Sequence, residues 1–288
     1  MSSTPGNPGA FQGAPSPPPR ELLLIAGGGA YPIELIRSAR AQGVARIVVL
    51  GFRGETSREA ASLADEVRWL TLGRLGEALD AAESFGISDV VMAGRIRPGN
   101  LFRLRPDREA FEALAALRVK NAETIFGAVG ERLAQRGLTL RPASWFMEKA
   151  MPGPGLLAKR PPTEREERDV ALGRRVAKTT SGLDIGQTVV VKDGVILAIE
   201  AFEGTDAALR RAGRLGGPGA VAVKCAKRGH DMRFDIPVIG TGTIRTLRRI
   251  RAAALAIEAG RTIVLEREAV AREADRSSLC LLAFEGEP

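Results

Sequence analysis

Leu22-Leu23-Leu24-Ile25-Ala26-Gly27-Gly28-Gly29-Ala30-Tyr31-Pro32 is the stretch whose reading decides the fold. An unbroken apolar run of this length suits a strand buried on both faces. It stops at three glycines, and Pro32 opens a segment in which Ile33, Leu35, Ile36 and Ala39 recur at helical spacing. Pro32 fits the first helical turn, because its missing N–H would have had no intrahelical partner there. The order is strand, tight loop, helix.

Working outward, Arg46–Gly51 reads as a second strand, Glu66–Leu70 as a third, Leu75–Phe85 as a helix and Asp89–Ala93 as a further strand. Arg108–Arg118 and Ala122–Arg136 read as helices. Such alternation predicts an α/β, Rossmann-like doubly wound domain over residues 21–139. Periodicity then fails over 140–165, where Pro142, Pro152, Pro154, Pro161 and Pro162 mark an interdomain linker. Residues 166–288 read as a second, mixed α/β domain that carries the catalytic residues. It comprises a helix to about Lys178, a hairpin over Gln187–Phe202 turning at Asp193-Gly194, and a helix capped by Thr205 or Asp206 and ending near Arg214. A strand at Ala220–Cys225, a long helix from about Thr243 to Ala259, and strands at Thr262–Leu265 and Leu279–Phe284 complete it. At the other end, six of the 17 prolines fall within residues 1–20, which read as a disordered tail. Arg20 is the only charge before the apolar run and Glu21 follows at once, so no signal peptide is read.

Over 288 residues, 44% hydrophobic and 26% charged is a globular balance, and the formal net charge of +8 favours anionic partners. Aromatics at 5% are too sparse for base-stacking platforms, so no nucleic-acid partner is expected. One histidine, His230, and two cysteines, Cys225 and Cys280, exclude Cys/His zinc clusters and disulfide scaffolds. The unpaired thiols suit a reducing cytosol, and no apolar run is long enough to span a bilayer.

The Gly27–Gly29 turn, between a strand and a helix N-terminus, is where backbone N–H groups and the helix dipole converge on an anion such as phosphate. The dinucleotide pattern G-x-G-x-x-G is only half met, since Pro32 stands where its third glycine would lie. Gly51-Phe52-Arg53 offers no acid for a ribose hydroxyl, which disfavours NAD and leaves an NADP-dependent reductase as one alternative. Arg95, Arg97, Arg103 and Arg105 follow the strand ending at Ala93, at the carboxyl edge where parallel sheets bind ligands. Residues 224–243, KCAKRGHDMRFDIPVIGTGT, concentrate reactive types. Asp231 and Asp235 with Lys224, Lys227 and Arg233 suit a magnesium-assisted phosphoryl site; a solvated loop of paired charges weighs equally. Glu203, Thr205 and Asp206 in EAFEGTD either cap a helix or hold a ligand.

LIAGGGAYP at 24–32, GLDIGQ at 182–187, EGTD at 203–206 with Arg210-Arg211, and RFDIP at 233–237 together resemble the LpxI-type UDP-2,3-diacylglucosamine pyrophosphatases, over essentially all of the chain from Glu21. The resemblance implies hydrolysis of UDP-2,3-diacylglucosamine to UMP and 2,3-diacylglucosamine 1-phosphate (lipid X) in lipid A biosynthesis, with Mg²⁺ and with the ligand between two domains. It implies catalytic and metal-binding roles for Asp235 and Asp231. Substrate contacts are implied for Gly27, Gly28, Gly29, Ala30, Arg95, Ile96, Glu203, Gly204, Thr205, Asp206, Lys224 and Arg233. The expected enzyme is cytoplasmic and peripheral at the inner membrane, its partner an acylated nucleotide sugar, with a homodimer left open. A non-catalytic nucleotide-sugar-binding protein is the other alternative.

Overall fold

The computed structural model describes residues 17–101, 104–119, 122–183, 185–227, 233 and 236–286. The chain divides into two units: the first runs to Glu148 and also takes in Arg233, and the second is made of the rest, from Lys149 onward. The first contains β1 (Glu21–Ala26), α1 (Tyr31–Ala41), β2 (Arg46–Phe52), α2 (Arg58–Ser62), β3 (Glu66–Leu70), α3 (Leu75–Ser84), β4 (Asp89–Ala93), α4 (Pro98–Leu101), α5 (Arg108–Ala115), α6 (Ala122–Gln135) and β5 (Thr139–Leu140). Its strands are all parallel, in the order β3-β2-β1-β4-β5. The winding reverses between β1 and β4, which is the doubly wound topology the alternation predicts. Helices cover both faces of such a sheet, so Leu22, Leu23 and Leu24 are all fully buried without polar alternation. Leu23, Val48 and Val90 pack with Leu79 of α3 and Leu133 of α6. Each such side chain contributes about 1.5–3 kcal/mol of burial.

Two segments differ from expectation at the ends of this unit. Residues 1–16 of the expected tail lie outside the described residues, but Arg20 does not behave as tail: its carbonyl accepts from the amides of Ala45 and Arg46 at 2.9 and 3.1 Å. The expected linker over 140–165 contains the boundary between the units and yet is bonded in place. Leu140 pairs in β5, the Tyr31 hydroxyl donates to the Ala143 carbonyl, and Gln42 of α1 donates to the Phe146 carbonyl at 3.0 Å. Trp145, Phe146 and Met147 are buried.

The second unit contains β6 (Gly155–Leu156), α7 (Glu164–Gly182), β7 (Thr188–Lys192), β8 (Val195–Ile199), α8 (Thr205–Gly216), β9 (Val221–Lys224), β10 (Val238–Ile239), α9 (Thr241–Arg249), β11 (Ala254–Glu258), β12 (Ile263–Val264), α10 (Arg267–Arg276) and β13 (Cys280–Phe284). Its main sheet runs β6-β13-β11-β9-β7-β8, parallel across β13, β11 and β9 and antiparallel elsewhere, while β10 and β12 form a short parallel ladder. The Asp193-Gly194 turn has positive φ at both residues, as the hairpin reading requires. Buried Asp169 of α7 accepts from both turn amides at 2.9 and 2.7 Å. The long helix expected over 243–259 is instead α9 and then β11. Ala254-Leu255-Ala256-Ile257 is compatible with a helix by propensity, but as the middle strand of this sheet it is buried on both faces and needs no alternation.

Candidate active site

In the first unit the expected residues meet at the carboxyl ends of β1 and β4, the point where strand order reverses. The Gly27 amide donates to the Ala93 carbonyl at 2.8 Å, and Gly28 and Arg95 exchange backbone hydrogen bonds at 2.8 and 3.0 Å. A Cβ on Gly27 would lie 2.8 Å from the Arg95 carbonyl oxygen, and one on Gly94 would lie 2.9 Å from the Gly27 backbone. Backbone therefore lies against backbone, and only glycine fits. These contacts correct the expected phosphate cradle. The Gly27 and Gly28 amides are taken by the carbonyls of Ala93 and Arg95, so the donors left to an anion are those of exposed Gly29 and Ala30 and of the first turn of α1. Ala30 caps that helix without a side-chain hydrogen bond. Arg95 has an exposed guanidinium and Ile96 is half-buried.

Sequence reasoning missed Glu55. No acid stands at the end of β2 itself, but the loop after it brings the Glu55 carbonyl oxygen within 3.0 Å of where a Gly28 Cβ would be. The Glu55 carboxylate is buried and accepts from the Arg97 amide at 3.3 Å and from Asn100 Nδ2 at 2.5 Å. It ties the loop after β4 to the glycine turn and is occupied in doing so. Only its distance of a few residues from the strand end could have signalled it.

In the second unit one expected residue, Thr205, meets another, Lys224, the last residue of β9, which is 5% exposed. Lys224 Nζ donates to Thr188 Oγ1 at 3.2 Å and Thr205 Oγ1 at 3.1 Å, and lies 3.7 Å from Glu200 Oε2. Thr205 Oγ1 in turn donates to Glu200 Oε1 at 2.8 Å. Burial pushes the Glu200 carboxyl upward, but the Lys224 ammonium, with the hydroxyls of Thr188 and Thr205, outweighs it and holds the carboxyl below the ordinary glutamate range. Thr205 does not cap α8. The N-cap is Gly204, at φ +81°, and no side chain bonds to the first turn. Asp206 sits in that turn, where the helix dipole favours negative charge, and Glu203 pairs with Arg211. Glu200 and Thr188 were not singled out from the sequence. Their role comes from the β7–β9 register, which sets Thr188 opposite Lys224.

Asp231 and Asp235, like His230, Asp184 and Arg103, lie outside the described residues; Arg233 is described and exposed. Among the described residues no three of His, Cys, Asp and Glu converge on a point that could hold a metal. The oxygens of Glu200 and Thr205 already face a cation, Lys224, so this cluster does not fit magnesium. Both thiols are buried and free, and burial pushes Cys225 up to about 12 and Cys280 up to about 11, which leaves neither as a nucleophile.

The LpxI N-terminal domain model matches residues 21–150 and the LpxI C-terminal domain model residues 153–282. A UDP-2,3-diacylglucosamine pyrophosphatase LpxI of Caulobacter vibrioides is 33% identical over 278 residues, spanning 92% of this chain and 98% of its own. Among solved structures, the biotin carboxylase domain of a Hydrogenobacter thermophilus 2-oxoglutarate carboxylase superposes with a TM-score of 0.27 at 14% identity, over 68% of this chain and 40% of that one. The biotin carboxylase subunit of a pyruvate carboxylase does so at 0.26 and 15%, over 69% and 42%. Superpositions that loose carry no argument. The two domain models cover most of the chain, with their break beside the observed one at 148–149, and a relative 33% identical is matched over 98% of its length, so the chain belongs to the LpxI family.

Proposed function

We propose that this protein hydrolyses the pyrophosphate bond of UDP-2,3-diacylglucosamine, releasing UMP and 2,3-diacylglucosamine 1-phosphate, a step of lipid A biosynthesis. The observation that carries the reading is the end-to-end match of both family domains and of a relative named for that activity. In this reading water attacks one phosphorus, the bridging P–O bond breaks, and the bridging oxygen leaves with the other phosphate. The exposed Gly29 and Ala30 amides at the start of α1, beside Arg95, offer hydrogen bonds to a phosphate. Lys224, already balanced by Glu200, acts by fixing Thr205 and the start of α8. Asp235 orients the attacking water, Asp231 assists, Arg233 helps to neutralise the pyrophosphate, and Mg²⁺ is assigned to the two aspartates. When bound, the ion would neutralise phosphate charge.

The substrate is a diacylated amphiphile, so we assign the enzyme to the cytoplasmic face of the inner membrane. No described helix is long and apolar enough to cross a membrane. In support of peripheral contact, exposed Arg210, Arg214, Arg249 and Arg251 line an open groove of about 500 Å³, and none of their guanidiniums makes an ion pair among the described residues. This groove is at the end of α8 away from Thr205, apart from the Lys224 cluster.

The test is incubation of the purified chain with UDP-2,3-diacylglucosamine and Mg²⁺, scored for UMP. Release of UMP and the sugar 1-phosphate in equal amounts is expected, and Asp235→Ala should abolish it while substrate binding persists. Binding without turnover by the parent chain would leave a nucleotide-sugar-binding protein, and chelation without effect would remove magnesium from the account.

A further inference from the structure

The apolar stripe of α8 outruns the sheet beneath it. Helical spacing brings Ala208, Leu209 and Ala212 onto the buried side of the helix, and the next position on that stripe is Leu215. Leu215 is nevertheless 66% exposed. Its neighbour Gly216 rests on the β7–β8 hairpin: a Cβ there would lie 2.3 Å from Leu197, and the Gly216 carbonyl accepts from Lys192 Nζ at 2.6 Å. Val195 is paired with Lys192 across the hairpin. Cross-strand partners share a face, so Val195 lies on the α8 side of the hairpin, and it is 60% exposed. Two large aliphatic side chains therefore flank one corner of the second unit, at the outer strand of its main sheet.

Single apolar side chains on a surface need no explanation. The company of these two does. The groove lined by Arg210, Arg214, Arg249 and Arg251 also takes in Gly213 and Gly217, which stand on either side of Leu215 in the chain. Asp193, at the hairpin turn, is already engaged by Arg165 at 2.7 Å. A second copy of the chain on this corner would set arginine against arginine. A nucleic acid would satisfy the guanidiniums but leave the aliphatic side chains facing phosphate and sugar. An anionic bilayer satisfies both, because its phosphates lie at the surface and an interfacial element sinks about 5–10 Å to reach the acyl boundary.

We propose that this corner is a membrane-docking surface: Leu215 and Val195 enter the acyl boundary of an anionic bilayer while the four arginines bind lipid phosphates around them. This docking rests on the peripheral assignment of the proposed enzyme and deepens it, since arginines alone would hold the protein above the headgroups.

The test places a reporter at the corner. Cys225 and Cys280 are buried, so Leu215→Cys in the full chain takes an environment-sensitive fluorophore at residue 215. Leu156→Cys, half-exposed on β6 at the opposite edge of the same sheet, is the control. With phosphatidylglycerol vesicles the label at 215 should shift to the blue and gain several-fold protection from iodide, and the label at 156 should do neither. With phosphatidylcholine vesicles neither should respond. In unlabelled protein, Leu215→Gln combined with Val195→Thr should weaken binding to phosphatidylglycerol vesicles by about 10- to 100-fold, the loss expected from two partly inserted aliphatic side chains, with circular dichroism and melting unchanged. Equal responses at 156 and 215, or bound protein whose label at 215 stays open to iodide, would overturn the docking surface. So would a parent dimer that the two substitutions dissociate, or duplex DNA that binds parent and double variant alike and displaces both from vesicles. Release of UMP from detergent-dispersed substrate is scored separately. Its absence in the parent strikes the reaction and leaves the docking result standing, whereas a parent that ignores anionic vesicles strikes the docking and leaves the reaction.

Discussion

Lys224 and Glu200 show how a single buried pair ties stability to function at the scale of residues. Lys224→Met would leave the Glu200 carboxylate buried without a counter-charge, a change that costs about 3–5 kcal/mol. Glu200→Gln strands the ammonium in the same way. The two losses should not add, because each variant breaks the same contact. A double-mutant cycle by denaturant titration should return a coupling of about 0.5–3 kcal/mol. The pH dependence has a definite sign. The Glu200 carboxyl is held lower in the folded protein than in the unfolded chain. Its contribution is therefore complete above the ordinary glutamate value of about 4.3 and is lost as pH falls through the lower folded value. Glu200→Gln should accordingly flatten the acid limb of a melting-temperature profile, and an unchanged limb would show that the pair does not set it.

Elements were legible in the sequence where the pattern was local. The β1–loop–α1 opening, the strands Glu66–Leu70 and Asp89–Ala93 and the Asp193-Gly194 hairpin appear where the sequence places them, because apolar runs and turn residues act over a few positions. β11 was not legible. Ala254-Leu255-Ala256-Ile257 follows directly on α9, and only pairing with β9 and β13, each more than 20 residues away, makes it a strand. The candidate site divides in the same way: the glycine turn announces itself, whereas Glu200 and Glu55 acquire partners only through distant chain. The start of α7 shows what local signals are worth. Thr163 accepts from the Glu166 amide at 3.3 Å, and the Glu166 carboxylate accepts from the Thr163 amide at 2.9 Å, closing a capping box. Thr163→Ala should cost about 1 kcal/mol, or roughly 2–4 °C in melting temperature, and Thr163→Ser should restore it.

For the molecule as a whole, the surplus of basic residues has a place as well as a size. The net charge is +8, and four of the arginines surround the groove at the ends of α8 and α9. Helix C-termini favour cations, which accounts for Arg214 and Arg249 but neither for Arg210, in the middle of α8, nor for the absence of carboxylate partners among the described residues. An anionic bilayer surface attracts each nearby arginine by about 1 kcal/mol, and the attraction fades within a Debye length of about 10 Å at ordinary salt. If the groove faces the membrane, changing Arg210, Arg214, Arg249 and Arg251 to Gln should weaken binding to phosphatidylglycerol vesicles by about 100- to 1,000-fold, the size expected for several such contacts. Binding by the parent should fall steeply with added salt, and vesicles of phosphatidylcholine alone should bind neither form. Arg214 is in the last turn of α8 and Arg249 and Arg251 are at the end of α9, so changing these three alone should leave turnover of substrate dispersed in detergent unchanged. Loss of detergent-phase activity would instead place these arginines in the chemistry, and equal vesicle binding by both forms would move the membrane contact to another face.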